Sequence, residues 1–490
     1  MKNNKLILAL ATFLIASSFI SCSSDSSSGD SSSEQKIVYV DNSNTSGFED
    51  GSYEHPYSTI QKAIDSSSEN NKDNTLVYIR KGNKPYSVEE GSLVDLDGTK
   101  NLTLWGSGYN EGFPGIPATG YPVLQSSNLK NERPIYLKDV ENITIIGLDL
   151  RGGEQNVVYA GGARKLTIKH CIVSGAEPAP VWNKTSGILI YSFGGGDKSS
   201  DIAITDNTFY DNHTGGINVS VFGDAEYGFE SAAENVLIAG NTFYQTQESK
   251  YEMHLPIICE IWCGLMENIT IENNDIYNFG EGSVWTPSGI FFLQRMTENP
   301  LSKNIMIRSN NISNSVSDSD GIWIEVMSGK MENLIISGNS THTGKGITLI
   351  APGQGSEPGS GGGVIDGAVV TGNTITDSLH PGLAGLLFVA QEDGSLSANV
   401  SRNIIKDGLG YGVWLDRDID ATLSVDLGGG ALQSEGYNSI YNNQLGGIGV
   451  EDQNVGPQTA KHNWWGQADD PGSLIEGDIN YTPWLTEDPN

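Results

Sequence analysis

The chain has 490 residues, with 60 acidic against 28 basic side chains and a formal net charge of −32. Such a field repels nucleic acid and anionic lipid, so binding to either through bulk charge is excluded. Sixty glycines suit a fold full of turns, and four cysteines without zinc-type spacing exclude a cysteine-built metal site.

Taken in order, the chain opens with Lys2 and Lys5, the apolar run Leu6 to Ile20, and then Ser21-Cys22. A charged head, a short apolar core and small residues describe a signal peptide over residues 1–21. Cys22 at its end resembles the lipobox of bacterial lipoproteins. That resemblance implies a lipid on Cys22, an outer-membrane anchor and exposure at the cell surface. Ser23 to Gln35 is almost all Ser, Asp and Gly, a flexible tether. Serine-rich tethers of this kind are similar to those of Bacteroidota lipoproteins. Residues 36–490 then form one folded domain. Its first elements are a strand at Val38 to Asp41 and a short helix over Ser58 to Asp65, capped by Ser58. Strands follow at Leu76 to Ile79 and Leu102 to Leu104, and a Gly- and Pro-dense loop spans 106–120.

From there a unit repeats, and repeats fix architecture. Asn235 to Phe243 reads NVLIAGNTF. Copies begin at Asp201, Asn268, Asn304, Asn333 and Gly367, and weaker ones at Asn142, Lys165 and Ser397. Each copy alternates apolar and polar residues, which marks a strand with one buried face. Each full copy also carries an Asn, at 207, 241, 274, 310, 339 and 373, with Asn403 in the weak copy at Ser397 and Cys171 in that slot in another. Such an Asn at one bend of every coil can bond the coils above and below it. The Asn spacing of 29 to 36 residues suits a coil of two or three strands.

A second strand in most coils is announced by Gly: Gly187-Ile-Leu-Ile-Tyr191, Gly216-Ile-Asn-Val-Ser220, Gly289-Ile-Phe-Phe-Leu293, Gly321-Ile-Trp-Ile-Glu325 and Gly412-Val-Trp-Leu-Asp416 are examples. Pro256 takes the Gly slot before Ile257 to Glu260. One such unit cannot bury its own apolar face, so units stack into a solenoid. The pattern resembles a right-handed parallel β-helix, the fold of pectate lyases and other carbohydrate-active proteins. The resemblance implies an all-β solenoid with the short helix capping its amino-terminal end. It covers roughly residues 36–487, and its closing motif resembles Asn463-Trp-Trp-Gly466 through Trp484, with Trp464, Trp465 and Trp484 sealing the last coil. Loops protrude at 176–186, 222–234, 244–255, 277–288 and 376–384, all expected to run into Gly strands and so to share one side, and at 352–363.

In a Gly strand the second and fourth residues after Gly face outward. That places Tyr191, Glu260, Trp323, Glu325, Trp414, Asp416 and Glu451 on an external sheet. Indole faces pack on the apolar side of a pyranose, and carboxylates bond hydroxyls or move protons. Glu260 and Glu325, two coils apart, lie roughly 9–10 Å from each other at ~4.8 Å per strand, the upper edge of the ~6.5–9.5 Å of inverting glycosidases. Asp416 is the third catalytic candidate, about 5 Å from Glu451 and in the retaining range. Its strand, GVWLDRD, is similar to the nucleophile strand of a β-helical xylosidase family. Trp182, Tyr191, Trp262, Trp285 and Trp323 are candidates for lining a groove, with Arg295 to bind a substrate carboxylate or sulfate or to pair with a glutamate. His213 and His254 are additional bases to consider.

The expected function is binding and cleavage of an extracellular polysaccharide, with hydrolysis ahead of β-elimination. A lyase on this fold would use a Lys or Arg base beside acidic calcium ligands, and no such cluster is visible. A non-catalytic binding or structural β-helix is the alternative from another class. No cofactor is required by the sequence; calcium in the acidic loops is the one ligand that the charge suggests.

Overall fold

The computed structural model describes residues 35–68, 74–87, 92–109, 120–126, 133–178, 185–194, 197–223, 231–250, 252–281, 283, 286–295, 300–353, 362–451 and 455–490. Among these, three long parallel sheets of 15, 11 and 12 strands wind round one core, and every strand pairing is parallel. One coil shows the path. Lys330–Ser337 lies in sheet A, Ser340–His342 in sheet B and Lys345–Ala351 in sheet C, and Val364–Thr371 returns to sheet A.

Alternation in the repeat makes this happen. In sheet A, Ile202, Val236, Ile269, Ile305 and Leu334 sit in one register column and are buried. In sheet B, Phe209 and Phe243 stack with ring centroids 4.8 Å apart. Stacking like on like in this way fills a core that no single coil could close. The Gly that opens each sheet-C strand stands where the chain turns against sheet B. A Cβ on Gly321 would lie 2.5 Å from the Gly346 carbonyl oxygen and 2.7 Å from Thr341 Cγ2, so no side chain fits there.

The corner between sheets A and B holds the asparagine ladder, and it is longer than the sequence pattern suggests. It runs from Cys171, whose N–H donates to Asn207 Oδ1, through Asn241, Asn274, Asn310, Asn339, Asn373 and Asn403 to Asn438 and Asn463. Each buried amide oxygen accepts both the backbone N–H and the side-chain N–H of the preceding Asn, and each Nδ2 also donates to a carbonyl of the sheet-A strand one coil earlier. A second, exposed ladder stands at the start of the repeat. Asn333, Asn304, Asn268 and Asn235 each donate to the residue one coil earlier, ending on Asp201. All five have positive φ, from 54° to 57°, the left-handed region that Asn tolerates best after Gly.

Two expectations change. The capping helix spans Ile60–Ser68, and Thr59 rather than Ser58 caps it, its Oγ1 accepting from the Lys62 N–H. Ser58 instead bonds Glu49 and holds that carboxyl below the usual range. Segment 223–231 joins sheet C to sheet A, as 352–363 does, so only four of the five named loops enter sheet C together. Cys171 and Cys259 are buried free thiols, and Cys263 is a half-buried one. At the far end Trp465 is buried in the core and Trp484 packs against it. No helix among the described residues is long and apolar enough to cross a membrane.

The buried ladder should be worth more than the exposed one. Asn310→Ala leaves the Asn274 N–H and the Ile271 carbonyl without their partner, at about 1–3 kcal/mol for each buried group. Asn304→Gly keeps the left-handed backbone at an exposed site and should change stability by no more than about 0.5 kcal/mol. Thermal melts of the two variants compare them directly.

Candidate functional site

Sheet C presents three outward rows along the solenoid axis. The middle row runs Tyr191, Ser220, Glu260, Leu293, Glu325, Ile350, Val389, Asp416, each in register with the next. The row towards the strand starts runs Asn218, Ile258, Phe291, Trp323, Thr348, Leu387, Trp414. At the strand ends stand Phe193, Phe222 and Trp262, with Arg295 one residue past the end of its strand.

Glu260 is 5% exposed. Its Oε1 accepts from Ser220 Oγ at 2.7 Å and Asn218 Nδ2 at 3.3 Å, and its Oε2 from Trp262 Nε1 at 3.2 Å. A carboxylate only accepts, and three donors match it. Trp262 is the extra residue of a β-bulge, because Val221 pairs with Ile261 and Phe222 with Cys263. Bulges re-aim side chains in this way. Phe222 stacks on the Trp262 indole at 4.8 Å, and the Arg295 guanidinium lies 3.7 Å from its ring centroid. Phe222 and Arg295 come from the strands on either side, so both indole faces are covered and its N–H is held on Glu260. Only the edge of this ring is left to a ligand.

Glu325 lies two strands from Glu260, with Leu293 between them and Ile350 on its far side. Burial among these aliphatic neighbours raises its pKa above the usual glutamate value, and the positive charge of Arg295 opposes the rise. The two glutamates thus share a row but not an environment. Asp416 lies three strands beyond Glu325, ~14 Å away, with Ile350 and Val389 between. It does not join the other two. Glu451 follows the strand paired with that of Asp416 and is exposed.

Tyr191 packs against Phe193, Phe222 and Tyr159 at centroid distances of 5.6, 5.5 and 6.2 Å. Burial, and then the charge of Glu260, raise its pKa. Trp323 meets Phe291 edge-on at 5.7 Å, and the Lys345 ammonium lies 5.5 Å from its ring centroid. Trp182, Trp285 and Cys22 lie outside the described residues. His213 Nδ1 is 3.0 Å from Thr214 Oγ1 and His254 Nδ1 is 3.2 Å from the Glu252 carbonyl. Burial lowers both imidazole pKa values, so both are neutral near neutral pH.

The alternation places Asn218 and Ser220 outward without giving them a role, and it did not single out Phe222, Asp320 or Lys345. Phe222 is one alternation step past Ser220 and was findable by extending the period. Asp320 precedes the turning Gly321, where alternation breaks. It is fully buried, with Lys345 Nζ 3.0 Å from its Oδ2 and Thr348 Oγ1 2.5 Å from its Oδ1. Asp318 lies 3.4 Å from the same ammonium, so this lysine is committed to two carboxylates. Among the described residues no group of three or more His, Cys, Asp or Glu is placed to hold a metal ion.

A family model described as right handed beta helix region matches residues 133–349. The fold is a right-handed parallel β-helix. Solved structures similar to this β-helix include an alginate lyase from Paenibacillus sp., 12% identical, covering 77% of this chain and 99% of that one with a TM-score of 0.43. A surface adhesin of Streptococcus pneumoniae is 13% identical over 75% of this chain and 89% of its own, with a TM-score of 0.36. A polygalacturonase from Erwinia carotovora ssp. carotovora is 13% identical over 95% and 99%, with a TM-score of 0.37. At these identities the likeness is one of fold. No curated protein matches the β-helix in sequence.

The raised pKa of Glu325 ties it to stability. The neutral form is favoured in the folded state, so its contribution is complete below the unfolded pKa and is lost as pH rises through the folded one. Glu325→Gln cannot ionise. Its melting temperature relative to wild type should therefore climb as pH rises through that window. Parallel melting curves that keep a constant offset across the pH series would refute the burial effect.

Proposed function

We propose that this β-helix binds an extracellular polysaccharide along the outer face of sheet C and hydrolyses it. The observation that carries the reading is the inequality of two glutamates in one row. Two carboxyl groups in unlike surroundings can take opposite parts in acid–base chemistry. Glu325, kept protonated to higher pH by its aliphatic neighbours, is the general acid and protonates the glycosidic oxygen as its bond to the anomeric carbon breaks. Glu260, matched by three donors, is the general base. It takes a proton from a water whose oxygen bonds the anomeric carbon from the opposite face. Two strand spacings, ~9–10 Å between backbones, leave room for that water and favour inversion. Trp262 acts here by fixing Glu260, and Trp323 by lining the groove beside Glu325.

Hydrolysis is favoured over β-elimination because Lys345, the lysine seated beside Trp323, is held by Asp318 and Asp320 and is not available as a base. A non-catalytic carbohydrate-binding role is the second reading, and the small exposure of Glu260 favours it. The amino-terminal run ending in Cys22 supports lipid attachment and display from the outer membrane.

Incubation with xylan, β-glucan and polygalacturonate distinguishes the readings. New reducing ends without unsaturated-product absorbance are expected, and Glu260→Gln and Glu325→Gln should each lower kcat by about 10²–10⁴ while leaving binding intact. Unsaturated product would mean a lyase, and binding without turnover would mean a binding protein. In cells, Cys22→Ala should abolish labelling by a fatty-acid analogue and move the protein from the membrane to the soluble fraction. Retention of label would refute the anchor.

A further inference from the structure

The carboxyl-terminal part of sheet C carries an aromatic residue in a different setting from the covered Trp262. Trp414, on the strand Tyr411–Arg417, is half-exposed and pairs in register with Gly449 on Gly446–Val450. A Cβ on Gly449 would lie 2.7 Å from Trp414 Cε3, 2.8 Å from Cζ3 and 2.8 Å from Tyr411 Cδ1. The indole therefore lies over a strand position that is empty only because it is glycine. A glycine inside a strand weakens it and often marks a close approach. Here the approach is by a ring, with Tyr411 tilted at 48° beside it, 5.1 Å between centroids. Among the described residues, and unlike Trp262, this indole meets Tyr411 but no second ring and no guanidinium.

Its polar surroundings are mostly acidic. Asp416 is the next outward residue on the same strand, and Glu451 bonds the Leu415 carbonyl through its N–H at 3.0 Å. Glu476 accepts from Tyr411 Oη at 2.8 Å. A basic neighbour, Arg417, donates from Nε to the Ala421 carbonyl at 2.8 Å. An apolar ring face on an acidic stretch of surface suits a pyranose with free hydroxyls and repels a uronate or a sulfate.

We propose that Trp414, seated on Gly449, is a second sugar-stacking platform, and that the polymer is a neutral glycan lying along the solenoid axis from Glu325 towards the carboxyl-terminal coils. Trp323 and Trp414 are three strands apart in one row, ~14 Å, a span for a short oligosaccharide rather than one ring. The proposal rests on the carbohydrate reading above and adds the polymer's charge class and direction to it.

Affinity electrophoresis in native gels containing xylan, β-glucan, galactomannan or polygalacturonate tests it. At least one neutral polymer should retard the wild type and polygalacturonate should not. Trp414→Ala should weaken retardation about three- to tenfold. Gly449→Val, which unseats the indole but keeps it in the chain, should do the same with circular dichroism unchanged. Asn304→Gly, on the exposed ladder at sheet A, should bind as wild type. Retardation by a neutral polymer that survives both Trp414→Ala and Gly449→Val overturns the platform and leaves the carbohydrate reading standing. Retardation by polygalacturonate alone overturns the neutral assignment. Binding to none of the four overturns the carbohydrate reading and the platform with it.

Discussion

Everything in this molecule depends on one interval, the ~4.8 Å between stacked parallel strands, and on the buried asparagine amides that hold it. Each ladder Asn is both donor and acceptor, so each coil satisfies the polar groups of the coil before it. Without that exchange, the corner between sheets A and B would bury unpaired N–H and C=O groups at every turn. The ladder lets the corner be both tight and polar, and it sets a single register for sheets that are otherwise aliphatic on their inner side.

A fixed register turns sequence distance into spatial rows. Glu260 and Glu325 are 65 positions apart in the chain, yet they stand in one row two strands apart. The same geometry separates Asp416 from them by putting Ile350 and Val389 in between. The bulge at Trp262 is the local break in this regularity, and it lies beside the carboxylate that needs holding. Repetition builds the platform, and the one departure from it fixes the Glu260 side chain.

The same division explains what the sequence discloses. The fold was legible because period-two alternation and a recurrent Asn are local signals. The ladder's reach to Asn438 and Asn463 was hidden because their flanking residues do not alternate like the repeat, and the exposed ladder at Asn235 and Asn268 sits in the very copies that define it. Outward positions were legible too, which is why Glu260, Trp323 and Glu325 stand together. What alternation cannot reveal is how an outward side chain is covered. Trp262 points out, yet both its faces are occupied by residues 40 positions before it and 33 after it. Asp320 sits where the chain turns at Gly321, and a period of two has no meaning at a corner.

The outer face of sheet C is also unusual in being apolar where a solvent-facing sheet is expected to be polar. Leu293, Ile350, Leu387 and Val389 all stand on it, and Leu387 and Val389 are 7% exposed. They stand apart from the core, which lies on the other side of the strands. Their effect is on what stands between them. Aliphatic neighbours deprive Glu325 of water and raise its pKa, whereas Glu260, in the same row, is surrounded by an amide, a hydroxyl and an indole N–H. Burying one carboxyl among aliphatic side chains costs stability once it ionises. The hydrolysis we propose uses that contrast, with a ligand over the face, Glu325 giving a proton and Glu260 accepting one.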